Sequence, residues 1–341
     1  MLSVPPVPRH RREFNEYLRS LLGDQQPSLL NRMIRYHLGW EDAEGRPHDA
    51  GGKGLRPTLC LLVCEAAGGD WRRALPAAAA VELVHNFSLV HDDIQDRDTE
   101  RHHRPTVWSI WGEAQAINAG DALLARARPV LLRLEDEGVP AATVIEAARV
   151  LDECTLEMVA GQTQDIAFEE SPDVDVPAYL QMVRGKTGAL FDCALRLGVL
   201  AANGDTELAE RLGRVGRTLG IAFQIRDDML GVWGDESKTG KATGADIHRR
   251  KKSLPVVYAL SEAQEAMRDE LRAIYEQSAL HADDVAWVRQ CLEEVGARGY
   301  CEQQASELGE SAVAELGRLE LLPGPREELI RTAEFLLERE S

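Results

Sequence analysis

The sequence predicts an all-α fold, and three observations predict it. Apolar residues recur at the three- and four-residue spacing of a helix through nearly all of the 341 residues. No segment alternates apolar and polar side chains as a half-buried strand does, and no hairpin signal or internal repeat interrupts the pattern. The breaks are short and carry Gly, Pro and Asp, as in Glu44-Gly45-Arg46-Pro47, Ser171-Pro172-Asp173 and Leu322-Pro323-Gly324-Pro325.

Taken in order, the periodicity predicts helices from Glu13 to Leu22, Pro57 to Ala67, Pro76 to Gln95 and Trp111 to Leu134, and onward to a last helix from Arg326 to Glu338. No linker is long enough to separate independent domains, so residues 1–341 are expected to form a single domain.

Lys plus Arg number 39 against 57 Asp plus Glu, a net charge of −18, which opposes attraction to nucleic acid or anionic lipid. A polyanionic substrate would therefore need a local basic cluster or bridging cations. The opening MLSVPPVPRHRREFNEYL has no apolar core of signal-peptide length, and no later run approaches about eighteen uninterrupted apolar residues. No stable membrane insertion and a cytoplasmic location are the expectations. The cysteines Cys60, Cys64, Cys154, Cys193, Cys291 and Cys301 lack the paired spacing of a zinc site and are expected to be buried free thiols.

The helix from Pro76 to Gln95 changes abruptly from AAAAVELV to HDDIQD, ending an apolar run in a cluster of acids. At about 100° per residue, Asp92, Asp93 and Asp96 can share one side of the helix. Oxygen ligands grouped in this way suit hard divalent cations, and a helix C-terminus favours positive charge. A solvated helix end explains the cluster equally well when it is taken alone. A second apolar stretch, however, also ends in paired aspartates, Phe223-Gln224-Ile225-Arg226-Asp227-Asp228. Two such ends facing each other across a cavity, with basic residues near, would suit Mg²⁺ and a diphosphate.

Basic candidates are present. Gly51-Gly52-Lys53-Gly54-Leu55-Arg56-Pro57 puts two cations on a loop before a helix, where backbone N–H groups also approach phosphate; it lacks the spacing of a Walker loop. Lys186-Thr187 follows Arg184-Gly185, and Lys238, Lys241, Arg249, Arg250, Lys251 and Lys252 form a further run, the last four of which a surface patch explains almost as well.

In order, GGKGLRP, HDDIQD, GQTQD, GKTG, FQIRDD and GDESKTGK closely resemble the motifs of the trans-isoprenyl diphosphate synthases, the polyprenyl synthetase family that contains farnesyl and geranylgeranyl diphosphate synthases. The resemblance implies an orthogonal helical bundle around a deep central cavity, a homodimer, and three Mg²⁺. It implies a prenyltransferase of isoprenoid biosynthesis that condenses isopentenyl diphosphate head to tail with an allylic prenyl diphosphate. It makes Asp92, Asp96 and Asp227 metal ligands, with Asp93 and Asp228 at motif positions that more often act through the ligands. It assigns Arg101, Lys186, Thr187, Gln224, Lys241 and Lys251 to the allylic diphosphate, and Lys53, Arg56 and His85 to isopentenyl diphosphate. His85 lies about 20° from Asp92 on the same helix face; a satisfied core histidine is the plainer reading.

Two positions depart from the family pattern. The first motif is usually followed by two arginines, but here Arg101 is followed by His102, only partly charged near neutrality. Either Arg104 compensates or the site binds isopentenyl diphosphate more weakly. The third aspartate of the second motif is Gly231, and Asp227, Gly231 and Asp235 faintly resemble the second metal motif of class I terpene cyclases. A cyclase is therefore one alternative, and a non-catalytic partner subunit of a prenyl transferase is another. Lys53, Arg56 and His85 argue against the first, and the retained Asp92, Asp96 and Asp227 against the second. Product length is expected to depend on Phe87, five residues before Asp92, with Val84 on the same stripe and the small Ser88 beside it. This pattern resembles that of geranylgeranyl-forming members, so a C20 product is favoured over C15.

Overall fold

The structure is a computed structural model, and it describes residues 9–23, 28–48, 52, 54–171, 174–234, 244–277 and 279–337. Lys53, Lys238, Lys241 and Asp235 lie outside the described residues. The helices are α1 (Arg11–Gly23), α2 (Leu29–His37), α3 (Leu55–Ala66), α4 (Leu75–Gln95), α5 (Val107–Trp111), α6 (Glu113–Leu132), α7 (Ala141–Glu170), α8 (Val176–Val183), α9 (Ala189–Ala202), α10 (Thr206–Trp233), α11 (Ala245–His248), α12 (Leu254–Glu262), α13 (Glu265–Tyr275), α14 (Ala282–Glu294), α15 (Ala297–Arg318) and α16 (Pro323–Leu337). The all-α expectation holds.

The chain divides into two compact units. The first comprises Met1–Glu153, Cys193–Arg211 and Leu321–Leu329. Its central helix is α4, which starts with Pro76 in its first turn, where a missing N–H is harmless, and continues through four alanines of high helix propensity. Ala77 to Val81, Leu83, Val84 and Val90 are almost fully buried, which is why α4 reads as apolar nearly all round. Gly198 of α9 lets that helix approach α3 closely, since a Cβ there would meet Cys60 O and Val63. The predicted helix from Trp111 to Leu134 is cut at Gly112, whose φ of +84° suits glycine.

One feature is absent from the sequence reading. Glu100–Arg101 (β1) and Arg104–Pro105 (β2) form a short antiparallel ladder, Glu100 opposite Pro105 and Arg101 opposite Arg104. The turn residues His102 (φ +52°) and His103 (φ +58°) both lie in the left-handed region, as a two-residue hairpin turn requires. Asn-Gly normally signals such a turn. A His-His pair gives no signal, and the conformation costs about 1 kcal/mol per residue.

The second unit comprises Cys154–Asp192, Leu212–Glu320 and Ile330–Ser341. One apolar cluster joins Val232 of α10, Ile247 of α11, Val256 and Ala259 of α12, and Val288 and Leu292 of α14. Another joins Tyr179 and Val183 of α8 to Ile225 and Met229 of α10, Leu254 of α12 and Cys301 of α15. These cores fix the C-terminal turns of α10, which carry Asp227 and Asp228. All six cysteines are buried and none forms a disulfide.

Candidate active site

In the first unit the aspartates at the end of α4 separate by exposure. Asp92 is half-buried and Asp96, the C-cap, is exposed, whereas Asp93 is 1% exposed. Asp93 accepts a 2.8 Å bond from Arg101 Nε, and its Oδ2 is buried without a partner. Burial pushes its carboxyl up to about 6, against the pull of Arg101. Asp93 is therefore turned to Arg101 and does not share the accessible side with Asp92 and Asp96, which corrects the expectation that all three point one way. It anchors the first residue of the motif's basic pair.

Arg104 does not behave as a replacement arginine. Its Nη1 and Nη2 donate to the carbonyls of Tyr36 (3.1 Å) and Glu41 (2.8 Å), and the guanidinium lies 4.2 Å from the centre of the Tyr36 ring. Tyr36 in turn donates to Pro105 O at 2.7 Å. Arg104 is thus a clamp on the strained hairpin, and of the two alternatives, compensation by Arg104 or weaker binding of isopentenyl diphosphate, this geometry speaks against the first. Charge-assisted bonds contribute about 1.5–3 kcal/mol each. Arg104→Ala is expected to destabilise the protein by at least that amount in a urea titration, with little recovery in Arg104→Lys, which lacks the planar fork. A wild-type midpoint in Arg104→Ala would show that the clamp is idle.

A basic pair links α3 to α4. Arg56, in the first turn of α3 after the left-handed Gly54 (φ +58°), places Nη1 3.2 Å from His85 Nε2. An arginine only donates, so His85 accepts through Nε2 and keeps its proton on Nδ1. Burial, with Arg56 adding to it, holds His85 well below the usual imidazole range. Burial also lowers Arg56 to about 10 although Glu82 opposes the shift, and Arg56 stays charged near neutrality. Glu82 accepts from Asn86 at 3.1 Å. His37, which the sequence reading passed over, is held down to about 3, chiefly by burial and next by Arg101, with Asn86 pulling the other way. No motif marks His37; its lone position at the end of α2 carries no spacing signal.

In the second unit α8 runs into a π-helical turn, Arg184–Gly188, which carries Lys186 and Thr187. Such turns often mark functional sites. Glycines permit it: a Cβ at Gly161 would strike Gly185 and the Lys186 backbone, and one at Gly185 would meet Glu157 O. The GQTQD and GKTG motifs are therefore partly the two sides of one backbone crossing. Lys186 pairs with Asp165, the last residue of GQTQD. Thr187 donates to Gln224 Oε1 (2.8 Å), and Gln224 donates to Asp228 Oδ1 (3.1 Å).

Asp227 is exposed and Asp228 is fully buried. Asp228 also accepts from Lys251 Nζ (3.4 Å), Leu254 N (3.0 Å) and the Tyr179 hydroxyl. With Gln224 these four donors match the roughly four lone-pair sites of a carboxylate. Asp228 is thus engaged by protein donors as a hub rather than offered to a cation. Lys252 donates to the carbonyls of Phe168, Glu169 and Ser171 at the end of α7, a capping role.

Three accessible carboxylates, Asp92, Asp96 and Asp227, remain on the two motifs. Taken separately, the oxygen donors of each unit suit Mg²⁺. Among the described residues no group of three or more His, Cys, Asp or Glu side chains is arranged to hold a metal. Substrate oxygens and water would have to complete a cation's shell.

Residues 46–295 match the polyprenyl synthetase family. The chain is 44% identical over 290 residues to a geranylgeranyl diphosphate synthase of Mycobacterium tuberculosis, covering 84% of this chain and 81% of that one. It is 38% identical over 324 residues to a (2E,6E)-farnesyl diphosphate synthase of Mycobacterium bovis, covering 94% and 89%. Among solved structures, a polyprenyl synthetase from Streptomyces coelicolor A3(2) superposes with a TM-score of 0.91 at 37% identity over 98% of this chain and 100% of that one. A geranylgeranyl pyrophosphate synthase from Corynebacterium glutamicum, complexed with isoprenyl diphosphate and magnesium, gives 0.84 at 27% identity over 99% and 100%. With its motifs in order and its helices matched from end to end, the chain belongs to the polyprenyl synthetase family.

Proposed function

We propose that residues 1–341 act as one catalytic domain that condenses isopentenyl diphosphate head to tail with an allylic prenyl diphosphate, giving a short all-trans product. The observation that carries this is the Arg56–His85 pair, a set of donors additional to the Lys186–Thr187 and Lys251 group. Two diphosphate substrates need two sets of donors, whereas a cyclase needs one.

Asp92, Asp96 and Asp227 would hold the metal; magnesium is supported by the complex of the Corynebacterium glutamicum relative, and the number of ions is proposed as three. When bound, Mg²⁺ supplies Lewis-acid charge to the phosphate oxygens. Lys186, Lys251, Thr187, Gln224 and Arg101, with Lys241 outside the described residues, bind the allylic diphosphate and stabilise the charge it gains as its C–O electron pair departs with it. Lys53, Arg56 and His85 hold isopentenyl diphosphate so that its double bond attacks the allylic carbon. The proton then lost passes to the released diphosphate.

The buried cysteines, none in a disulfide, support a reducing, cytoplasmic location, and no helix among the described residues is long and apolar enough to cross a membrane. Leu156 (70% exposed), Val159 and Ile166 leave an apolar stripe on α7, which supports a homodimer in which a second copy covers it. Sedimentation of purified protein at the monomer mass would remove that assignment.

Incubation with Mg²⁺, isopentenyl diphosphate and each allylic primer, followed by product sizing, tests the whole reading; no chain elongation with any primer would overturn it. We favour a C20 product. Phe87 is 8% exposed and meets His91 edge to face at 4.9 Å, while His91 fills the space that Gly120 of α6 leaves. Val84 is 1% exposed, and Ser88 Oγ donates to His85 O at 2.8 Å. Phe87→Ala is expected to lengthen the product, at a stability cost of about 3–5 kcal/mol. Unchanged length from a folded, active variant would remove Phe87 as the floor.

A further inference from the structure

His37 is the last residue of α2, and its neighbour Tyr36 is fastened to the β1–β2 hairpin from both ends. Arg104 Nη1 donates to the Tyr36 carbonyl at 3.1 Å, and the Tyr36 hydroxyl donates to Pro105 O at 2.7 Å. An edge-to-face contact with Trp111 of α5, 5.1 Å between ring centres, holds the Tyr36 ring from a third direction. The backbone that carries His37 is therefore fixed relative to the hairpin.

The His37 imidazole stands among groups that can carry positive charge. Burial, Arg101, Arg104 and His102 act against a charge on it, and Asn86 of α4 acts for one. The Asn86 amide nitrogen is engaged by Glu82, donating to its carbonyl at 2.8 Å and to Oε1 at 3.1 Å, so its carbonyl oxygen is the group left for the imidazole. His85, adjacent to Asn86, is lowered in turn by Arg56, Arg101, His37 and His102, after burial itself. Cationic and cation-forming side chains are thus gathered from α2, α3, α4 and the hairpin.

Within this group the donors differ in their engagement. Arg101 Nε is turned to Asp93, and both terminal nitrogens of Arg104 are committed to the carbonyls of Tyr36 and Glu41. His37 Nε2 is buried and has no partner among the described residues. A buried polar atom in that state is costly, and native structures keep few of them. An anion relieves both strains together, because it accepts from Nε2 and its charge offsets the repulsion among the cations.

We propose that His37 is a further binding residue for isopentenyl diphosphate, donating through Nε2 to a diphosphate oxygen beside Arg56 and His85. It rests on the reading that Arg56 and His85 serve that substrate. Because Arg101 is assigned to the allylic diphosphate and is also a neighbour of His37, the test separates the two ligands.

The test is calorimetric titration of the purified full chain with isopentenyl diphosphate and, separately, with geranyl thiolodiphosphate plus Mg²⁺, with folding followed by circular dichroism. His37→Leu keeps a bulky apolar side chain and removes both ring nitrogens. It is expected to weaken isopentenyl diphosphate binding about 10- to 100-fold, the scale of one hydrogen bond to a charged group, and to change binding of the allylic analogue by less than about threefold. His37→Gln carries its amide N–H out to the Nε2 position and is expected to recover most of the affinity. His37→Asn, whose shorter amide reaches only the Nδ1 position, is expected to bind as weakly as His37→Leu, and this pair decides the matter should His37→Leu fail to fold. Wild-type affinity in a folded His37→Leu, combined with a loss in Arg56→Ala, overturns the inference and leaves the substrate reading intact. An equal loss for both ligands, or equal affinities in His37→Gln and His37→Asn, also overturns it. Wild-type affinity for isopentenyl diphosphate in both His37→Leu and Arg56→Ala, or no binding by the wild type, overturns the substrate reading and this inference with it.

Discussion

Asp92→Asn, Asp96→Asn and Asp227→Asn are each expected to lower kcat/KM by at least about a hundredfold, the scale of losing one strong electrostatic stabiliser, while the unfolding midpoint stays close to wild type. The two halves of this expectation have one cause. These carboxylates are the accessible members of their motifs, and surface changes that keep shape usually alter stability by less than about 0.5 kcal/mol. Their charge is needed by substrate and cation rather than by the fold. Asparagine keeps the shape and removes the charge, so a kinetic loss without a stability loss identifies a ligand role. Near-normal turnover in Asp92→Asn, or full activity in excess EDTA, would sink the metal assignment.

Much of the fold was legible because the helix-forming signals are local. The run of alanines, Pro76 and the abrupt switch to acids define α4 to within a residue of its observed bounds. The hairpin was not legible. Its turn is held by Arg104 on the carbonyls of Tyr36 and Glu41, partners more than sixty positions away, and His102-His103 has no turn chemistry of its own. The site was legible as types of residue but not as roles. Helical geometry puts adjacent aspartates about 100° apart, yet which one turns inward depends on what packs there. Asp93 turns inward because Arg101 waits for it, and Asp228 because Tyr179, Lys251 and Leu254 converge on it. His37 matters through neighbours that only the tertiary fold supplies.

Asp228→Ala is expected to lower stability by about 3–5 kcal/mol, because several buried donors, each costing about 1–3 kcal/mol when unsatisfied, lose their acceptor. Asp228 stands at 0% exposure where three elements meet. From α8 it receives the Tyr179 hydroxyl, from α10 the Gln224 amide, and from the start of α12 the Leu254 N–H. The last bond is a helix cap supplied in trans: Ser253 is the N-cap residue of α12 but makes no side-chain capping bond, and its Oγ is buried without a partner. Removing Asp228 therefore frays α12, frees Gln224 from one side of its link to Thr187 and takes one of its carboxylate partners from Lys251. Tyr179→Phe removes a single donor and is expected to cost only about 1–2 kcal/mol. Urea unfolding of the two variants beside Asp227→Asn provides the measurement. The expected order of midpoints is Asp227→Asn highest, Tyr179→Phe between, and Asp228→Ala lowest. An Asp228→Ala protein that unfolds at the wild-type urea concentration would show that these bonds do not hold the helices, and Asp228 would then have to be reconsidered as a direct partner of the cation.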